Sequence, residues 1–164
     1  MITLRDFELS DVQRLVEILN DRAVTAFLST KIPTPYTRED ALWWIEEGSK
    51  EELIKAITVN DRLVGCVGVH QGSFEYSRSG EIGYWLASDY WRQGISLAAI
   101  LQLTEQVFAN TEIVRIFGCV FSANEASKRL MLKAGFQLEA VLKNAICKQE
   151  QFYDSYVFAK LKPA

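Results

Sequence analysis

The segment Trp91-Arg92-Gln93-Gly94-Ile95-Ser96 has the most suggestive chemistry in this sequence, because it stands between a predicted strand and a predicted helix. A glycine there lets the backbone approach a ligand closely, and the first turn of a helix presents N–H groups without partners inside the helix. These two properties favour an anion-binding site. The segment is not a Walker sequence, and it lacks the spacing of a dinucleotide fingerprint. Taken alone, it is more often explained as an ordinary helix start.

Three side chains are of a type that could move a proton. Glu81 lies on a predicted strand, His70 lies at the end of another and is the only histidine, and Ser127 lies one turn into a predicted helix. Each also has an ordinary structural explanation, because lone histidines, exposed strand glutamates and serines near a helix start are common. Glu81 is the leading candidate for a general base, His70 is the alternative, and water could replace both.

The amino-terminal part of the chain shows mainly helical patterns after one short strand. Ser10-Asp11-Val12-Gln13 is a capping-box pattern, and two prolines exclude a helix from the segment that holds them. We therefore predict a strand over Ile2 to Leu4, a helix opened by Ser10, a helix over Arg22 to Leu28, a loop over Ser29 to Tyr36, and a helix capped by Thr37 with Trp44 in the core.

Strand patterns dominate the remainder, where Asn60-Asp61 predicts a tight hairpin. We predict strands over Ile54 to Val59, Leu63 to Val69, Gly80 to Leu86, Val114 to Phe121, Gln137 to Leu142 and Tyr153 to Leu161. We predict one helix over Ile95 to Phe108, whose apolar face holds Leu97, Ile100, Leu101, Thr104, Val107 and Phe108. A second helix is capped by Asn124 and ended by Gly135. This order predicts an α+β fold in three layers. Its mostly antiparallel sheet contains one strand–helix–strand crossover from Tyr84 to Cys119.

Length and composition limit the class of protein. The 164 residues fit a single domain over 1–164, and 49% hydrophobic residues supply a core. A net charge of −3 without a basic stripe argues against a nucleic-acid partner, and no apolar run approaches the roughly 20 residues that cross a membrane. The first residues lack a signal-peptide pattern, so we expect a cytoplasmic protein. The three cysteines lack metal-ligand spacing, so we expect no metal.

Four motifs follow one another along the chain: Gly80-Glu81-Ile82-Gly83-Tyr84-Trp85-Leu86, Tyr90-Trp91-Arg92-Gln93-Gly94, Asn124-Glu125-Ala126-Ser127 and Lys133-Ala134-Gly135-Phe136. Together they resemble the GNAT acetyltransferases, and more narrowly the RimJ/RimL-like branch that acetylates the N-termini of ribosomal proteins. The similarity extends over nearly the whole chain. It implies the GNAT fold, whose mixed central sheet splays at the cofactor site between flanking helices. In that context the Gly94 turn is a phosphate cradle.

The resemblance implies acetyl-CoA as co-substrate. The backbone of Leu86 would pair with the pantetheine arm like an added strand, and Asn124 would hydrogen-bond the same arm. The pyrophosphate would receive backbone N–H groups from Gln93, Gly94, Ile95, Ser96, Leu97 and Ala98, with the side chain of Arg92 or Gln93 nearby. Ser96 stands where glycine or alanine is usual in the family, and it adds a hydroxyl to the cradle.

The proton donor departs from the commonest family pattern. Many members place a tyrosine four residues before the Gly-Phe pair to protonate the leaving thiolate, and here that position is Met131. A methionine cannot donate a proton. In the RimJ/RimL-like branch a serine takes over, and Ser127 occupies the matching position. The alternative, that Ser127 only caps its helix, stays open.

The acceptor implied by the resemblance is a primary amine, attacked directly in a ternary complex. A protein N-terminus is the first acceptor class, and a small amine such as an amino acid, polyamine or aminoglycoside is the alternative. A non-catalytic acetyl-CoA sensor is a hypothesis of a different class. Tyr36, Trp85 and Tyr90 are candidates to line the acceptor site, and Asp154 is a candidate to meet a cationic group. The chain is expected to be a monomer or a homodimer.

Overall fold

The computed structural model describes residues 1–51 and 53–164. Within these residues, seven strands form one mixed sheet: β1 (Ile2–Arg5), β2 (Ile54–Val59), β3 (Arg62–Gln71), β4 (Ser79–Leu86), β5 (Arg115–Phe121), β6 (Gln137–Lys148) and β7 (Gln151–Leu161). Their order across the sheet is β1-β2-β3-β4-β5-β7-β6. The helices are α1 (Val12–Leu19), α2 (Arg22–Thr25), α3 (Arg38–Trp43), α4 (Ile95–Asn110) and α5 (Glu125–Lys133). This architecture confirms the predicted α+β class.

Contacts along the chain divide it into two units. Unit 1 comprises residues 1–68 and 83–99, and unit 2 comprises residues 69–82 and 100–164. Strands β3 and β4 and helix α4 each contribute to both units. No described helix combines the length and the apolar content that a membrane crossing requires.

The start of α1 differs from the prediction. The capping box joins Glu8 to Asp11 rather than opening at Ser10, and a 3₁₀ turn over Leu9–Asp11 precedes the helix. Asp11 takes this role because its carboxylate also receives two hydrogen bonds from the guanidinium of Arg5 on β1, at 2.8 and 2.9 Å. A contact with the preceding strand therefore selects the cap, and the capping pattern alone does not reveal it.

The next two helices show one correction and one confirmation. Helix α2 ends at Thr25 instead of Leu28, because the N–H of Leu28 turns back to the carbonyl of Thr25. Helix α3 begins as predicted, with Thr37 and Asp40 in a reciprocal capping box. It continues into a π-helical turn over Trp44–Gly48.

The core of unit 1 is formed by buried residues of α1, the segment around α3, β2 and β3. Trp44 packs against this core with its ring edge-on to Phe7, at 5.7 Å between ring centroids, which confirms its predicted core position. The predicted hairpin between β2 and β3 is also confirmed. Asn60 and Asp61 both have positive φ, at 49° and 65°, as a two-residue turn of this type requires.

The crossover from β4 through α4 to β5 gives the one parallel pairing described in the sheet. The pairing begins with Ser79 opposite Arg115 and ends with Glu81 opposite Phe117. Beyond these pairs, β4 continues to Leu86 and β5 continues to Phe121. Helix α4 buries most of the predicted face, including Ile100 and Val107. Leu101 is the exception, since it is 40% exposed. Three residues outside the predicted face are buried, namely Ile95, Ala99 and Leu103. The buried face of α4 is therefore rotated toward them relative to the predicted face.

Unit 2 is completed by α5 and the long hairpin of β6 and β7. Asn124 caps α5 as predicted, and Gly135 ends it with φ of 88°. The N–H of Phe136 then donates to the carbonyl of Met131 at 3.0 Å, which closes the helix end in the predicted way. Helix α5 contacts the sheet closely, since a Cβ on Gly118 of β5 would lie 2.8 Å from the Met131 methyl group.

Candidate active site

Open space lies beside two glycines of unit 1. Of the nine glycines, all within the described chain, Gly83 and Gly94 are the two at which a Cβ would meet nothing within 4 Å. Gly83 lies near the end of β4, and Gly94 immediately precedes α4. The end of the strand and the start of the helix therefore both have backbone that a ligand can approach closely.

The turn before α4 has an unusual backbone. Arg92 and Gly94 have positive φ, at 61° and 74°, and φ above zero is uncommon for a residue with a side chain. Backbone N–H groups in such alternating conformations converge into concave anion-binding sites. The side chains of Trp91, Arg92 and Gln93 are all exposed around this turn.

The first hydrogen bond of α4 decides which amides remain available. The N–H of Ala98 donates to the carbonyl of Gly94 at 3.1 Å, so the predicted donation from Ala98 to a phosphate is not supported. Helix geometry leaves the N–H groups of Ile95, Ser96 and Leu97 without acceptors within the helix. The side chain of Ile95 is buried, which anchors the first turn to the core. The available cradle is thus one residue shorter than predicted.

The loop between β4 and α4 is held by several side chains. The indole N–H of Trp91 donates to the carbonyl of Leu86 at 2.9 Å. The hydroxyl of Ser88 donates to the carboxylate of Asp21, the residue that caps α2, at 2.6 Å. The side-chain amide of Gln93 donates to the carbonyl of Asp89 at 3.3 Å. These bonds fix a loop that contains no regular element beyond the 3₁₀ turn over Ser88–Tyr90.

Glu81, the leading base candidate, lies on an exposed position of β4 in unit 2. The thiol of Cys119 on β5 lies near the Glu81 carboxylate, and partial burial and then the negative charge of Glu81 raise the pKa of that thiol. His70 is exposed near the end of the neighbouring strand β3.

Ser127 and Asn124 lie together at the start of α5. The Oδ1 atom of Asn124 accepts the backbone N–H of Ser127 at 3.2 Å, so the backbone of Ser127 takes part in the cap. Both side chains are partly exposed. Met131 is fully buried one turn further on, against Gly118 and Ile82. The side chain at the usual tyrosine position of the family therefore belongs to the core.

The candidates for the acceptor site differ in how deeply they are buried and in which residues they contact. Tyr36 is 6% exposed and lies in the core of unit 1, and burial raises the pKa of its hydroxyl to about 12. Trp85 and Tyr90 are partly buried and pack against the same core. The Asp154 carboxylate accepts a hydrogen bond from the backbone N–H of Asn144 and forms an ion pair with Lys143. Both interactions lower the pKa of Asp154. Its carboxylate therefore has a local structural role in the β6–β7 hairpin.

Some partners of the site were missed by sequence reasoning. The position of Cys119 near Glu81 depends on the register between β4 and β5, which residue types do not reveal. Nothing in the sequence indicates where the indole of Trp91 points. Within residues 1–51 and 53–164, no group of three or more His, Cys, Asp or Glu side chains is arranged to hold a metal ion.

Comparison with known families decides the assignment. The model of the acetyltransferase (GNAT) domain matches residues 1–137 of the chain. The chain belongs to the GNAT acetyltransferase family. This result confirms the family that the four motifs indicated, and the seven-stranded mixed sheet of the described residues is the fold that its structural neighbours share.

Related GNAT proteins include bacterial N-acetyltransferases. YoaA of Bacillus subtilis, an N-acetyltransferase whose own activity is uncharacterised, is 35% identical over 74% of this chain and 62% of its own length. The aligned region thus spans less than two thirds of that relative. YdaF of the same bacterium, provisionally named a ribosomal N-acetyltransferase, is 25% identical over 98% of this chain and 91% of its own length.

A solved structure shares the fold of this chain. RimL, the ribosomal L7/L12 α-N-protein acetyltransferase, was solved in complex with coenzyme A. It has a TM-score of 0.84 and 20% identity to this chain, and the match covers 98% of this chain and 93% of RimL. At that identity the likeness shows the fold alone.

The GNAT co-substrate can be tested against the residues of unit 1. A CoA pyrophosphate needs several convergent N–H donors, and the turn at Gly94 with the first amides of α4 provides them. Pantetheine needs an extended backbone with open space beside it, and β4 provides both at Gly83. The residues present therefore fit the group.

Proposed function

We propose that this protein is an N-acetyltransferase that moves the acetyl group of acetyl-CoA to a primary amine, as a single domain over residues 1–164. The observation that carries the proposal is the pair of open glycines, Gly83 and Gly94, on β4 and before α4. Each lies where the co-substrate needs close approach to the backbone. The family match supports the same reaction.

The co-substrate is bound by backbone groups in this proposal. The N–H groups from Gln93 to Leu97 surround the pyrophosphate, with Arg92 adding positive charge. The last residues of β4 pair with pantetheine like an added strand, and the Asn124 amide nitrogen hydrogen-bonds the same arm. The splay of the sheet at this point stays a prediction of the family resemblance.

The reaction requires one bond to form and one to break. The neutral amine nitrogen attacks the thioester carbonyl carbon, and the carbon–sulfur bond then breaks to release the CoA thiolate. Ser127 supplies a proton to this thiolate and regains one from water, and the proton of the amine leaves to Glu81, directly or through water, and is then released to solvent. His70 is the alternative base.

The acceptor class that we favour is a protein N-terminus. The names of the relative YdaF and of the structural neighbour RimL support this choice. A small amine is the second candidate. A sensor that binds acetyl-CoA without turnover would share the same cradle, and only a turnover assay separates it from an enzyme.

Thermal unfolding with and without ligand tests the co-substrate. A ligand that binds the folded state raises the unfolding temperature, and the stabilisation grows with the logarithm of the ligand concentration divided by Kd. Acetyl-CoA should raise the Tm of this protein, whereas ATP and NAD should not. No shift at millimolar acetyl-CoA would refute the proposed function.

A further inference from the structure

Trp91 connects the turn before α4 to the end of β4. Its side chain is 43% exposed, yet its indole N–H donates to the backbone carbonyl of Leu86 at 2.9 Å. Its own backbone N–H donates to the carbonyl of Ser88 at 3.2 Å. The indole therefore folds back across the 3₁₀ turn and reaches the last residue of the strand.

The carbonyl that Trp91 engages points away from β3. The N–H of Ala87 belongs to the same peptide unit, and it donates to the carbonyl of Val64 on β3 at 2.7 Å. Because the two groups of a trans peptide point in opposite directions, the Leu86 carbonyl faces the other edge of β4. This is the edge that the proposed pantetheine pairing uses, and Trp91 occupies its last acceptor.

The residues after Trp91 begin the proposed cradle for the pyrophosphate. Arg92 and Gly94 have positive φ angles, and Ile95 starts the helix. One indole hydrogen bond thus joins the two backbone regions that bind the two ends of the same ligand. Its loss would leave each region intact but would let the distance between them vary.

We propose that Trp91 is a positioning residue for coenzyme A, which sets the separation between the pantetheine edge of β4 and the pyrophosphate cradle. This inference rests on the proposed function and deepens it. It also limits pantetheine pairing to the part of β4 before the Leu86 carbonyl. A ligand with two linked parts binds better than either part alone when the protein already holds its two contact regions at the right separation. Trp91 holds that separation.

The test compares the whole ligand with its two fragments. In Trp91→Phe the ring stays but the N–H donor is lost. We expect the Kd for CoA to rise about fivefold to tenfold, the loss typical of one hydrogen bond. The Kd values for acetylpantetheine and for adenosine 3′-phosphate 5′-diphosphate should stay within about twofold of wild type, since each fragment contacts only one region. The Tm without ligand checks that the variant is folded.

Trp43→Phe is the matched control, because Trp43 is also exposed in unit 1 and lies on α3. It should leave all three affinities unchanged. An unchanged Kd for CoA in Trp91→Phe would overturn the inference, and so would an equal loss for CoA and both fragments. A wild-type protein that fails to bind CoA would instead refute the proposed function.

Discussion

The backbone N–H of Ser127 donates to the side-chain oxygen of Asn124 at 3.2 Å. Helix α5 is therefore capped through the backbone of Ser127, whatever its hydroxyl does. The structural role and the proposed chemical role of this residue involve different atoms, so a side-chain substitution can separate them.

Ser127→Ala should leave the fold intact but slow the reaction. The backbone N–H that satisfies Asn124 is retained, so the Tm should be close to that of wild type. Without the hydroxyl, the CoA thiolate leaves unprotonated, and we expect kcat to fall by about tenfold to a hundredfold. Ser127→Thr keeps a hydroxyl and should recover much of the rate. Wild-type kcat in Ser127→Ala would remove the proton-donor assignment.

Two substitutions of Asn124 should separate its cap from its contact with the co-substrate. Asn124→Ala loses the cap of α5, which should cost about 1 kcal/mol of unfolding free energy. Asn124→Asp keeps a good capping oxygen but replaces the amide donor by a carboxylate. It should be as stable as wild type in urea unfolding yet have a severalfold higher KM for acetyl-CoA. Equal KM values for Asn124→Asp and wild type would contradict the proposed contact with pantetheine.

Gly83→Ala should be tolerated by the fold and harmful to binding. Its new methyl group would meet no protein atom within 4 Å, and alanine is about 0.5–1 kcal/mol more favourable than glycine inside a strand. The methyl group would instead enter the space proposed for the co-substrate. We expect an unchanged or higher Tm together with a KM for acetyl-CoA raised about threefold to tenfold.

Gly68→Ala serves as the control with the opposite pattern. A Cβ there would lie 2.9 Å from the Ile54 side chain, so this variant should lose stability. Its KM for acetyl-CoA should remain close to that of wild type. If Gly83→Ala shows wild-type KM, the open space beside β4 is not part of the binding path.

The buried thiol of Cys66 should make the fold sensitive to alkali. Burial raises its pKa from 9.0 to about 12, so the folded state holds the thiol neutral where the unfolded state ionises it. The unfolded state then binds fewer protons, and stability falls as pH rises from about 9 toward 12, by about 1.4 kcal/mol per pH unit. Cys66→Ala should be less stable at pH 7 because of its cavity, but its stability should decline less between pH 9 and 10. Urea unfolding at pH 7, 9 and 10 measures both effects, and identical slopes would contradict this cause.

Local signals in the sequence predicted the elements whose ends depend on neighbouring residues. Thr37 with Asp40, Asn124, Gly135 and the turn at Asn60 all behave as predicted, because each satisfies backbone groups a few residues away. The motif of the crossover also placed the open turn at Gly94 correctly between β4 and α4.

Side-chain packing, strand register and backbone hydrogen bonding account for the failures. Asp11 replaces Ser10 in the α1 cap because Arg5 binds it, and Leu101 is exposed because packing rotates α4. Ala98 was predicted as a phosphate donor, but helix hydrogen bonding claims its N–H. The contact of Cys119 with Glu81 depends on strand register, which residue types alone do not fix.

Thiol release in the presence of amines tests the central claim most directly. The protein is incubated with acetyl-CoA and a panel of peptide N-termini, amino acids, polyamines and aminoglycosides, and free CoA and product mass are followed together. We predict that CoA release depends on at least one amine, and that this amine gains one acetyl group for each CoA released. A protein that binds acetyl-CoA but releases no thiol with any acceptor would contradict the assignment of acetyl transfer and would favour a sensor.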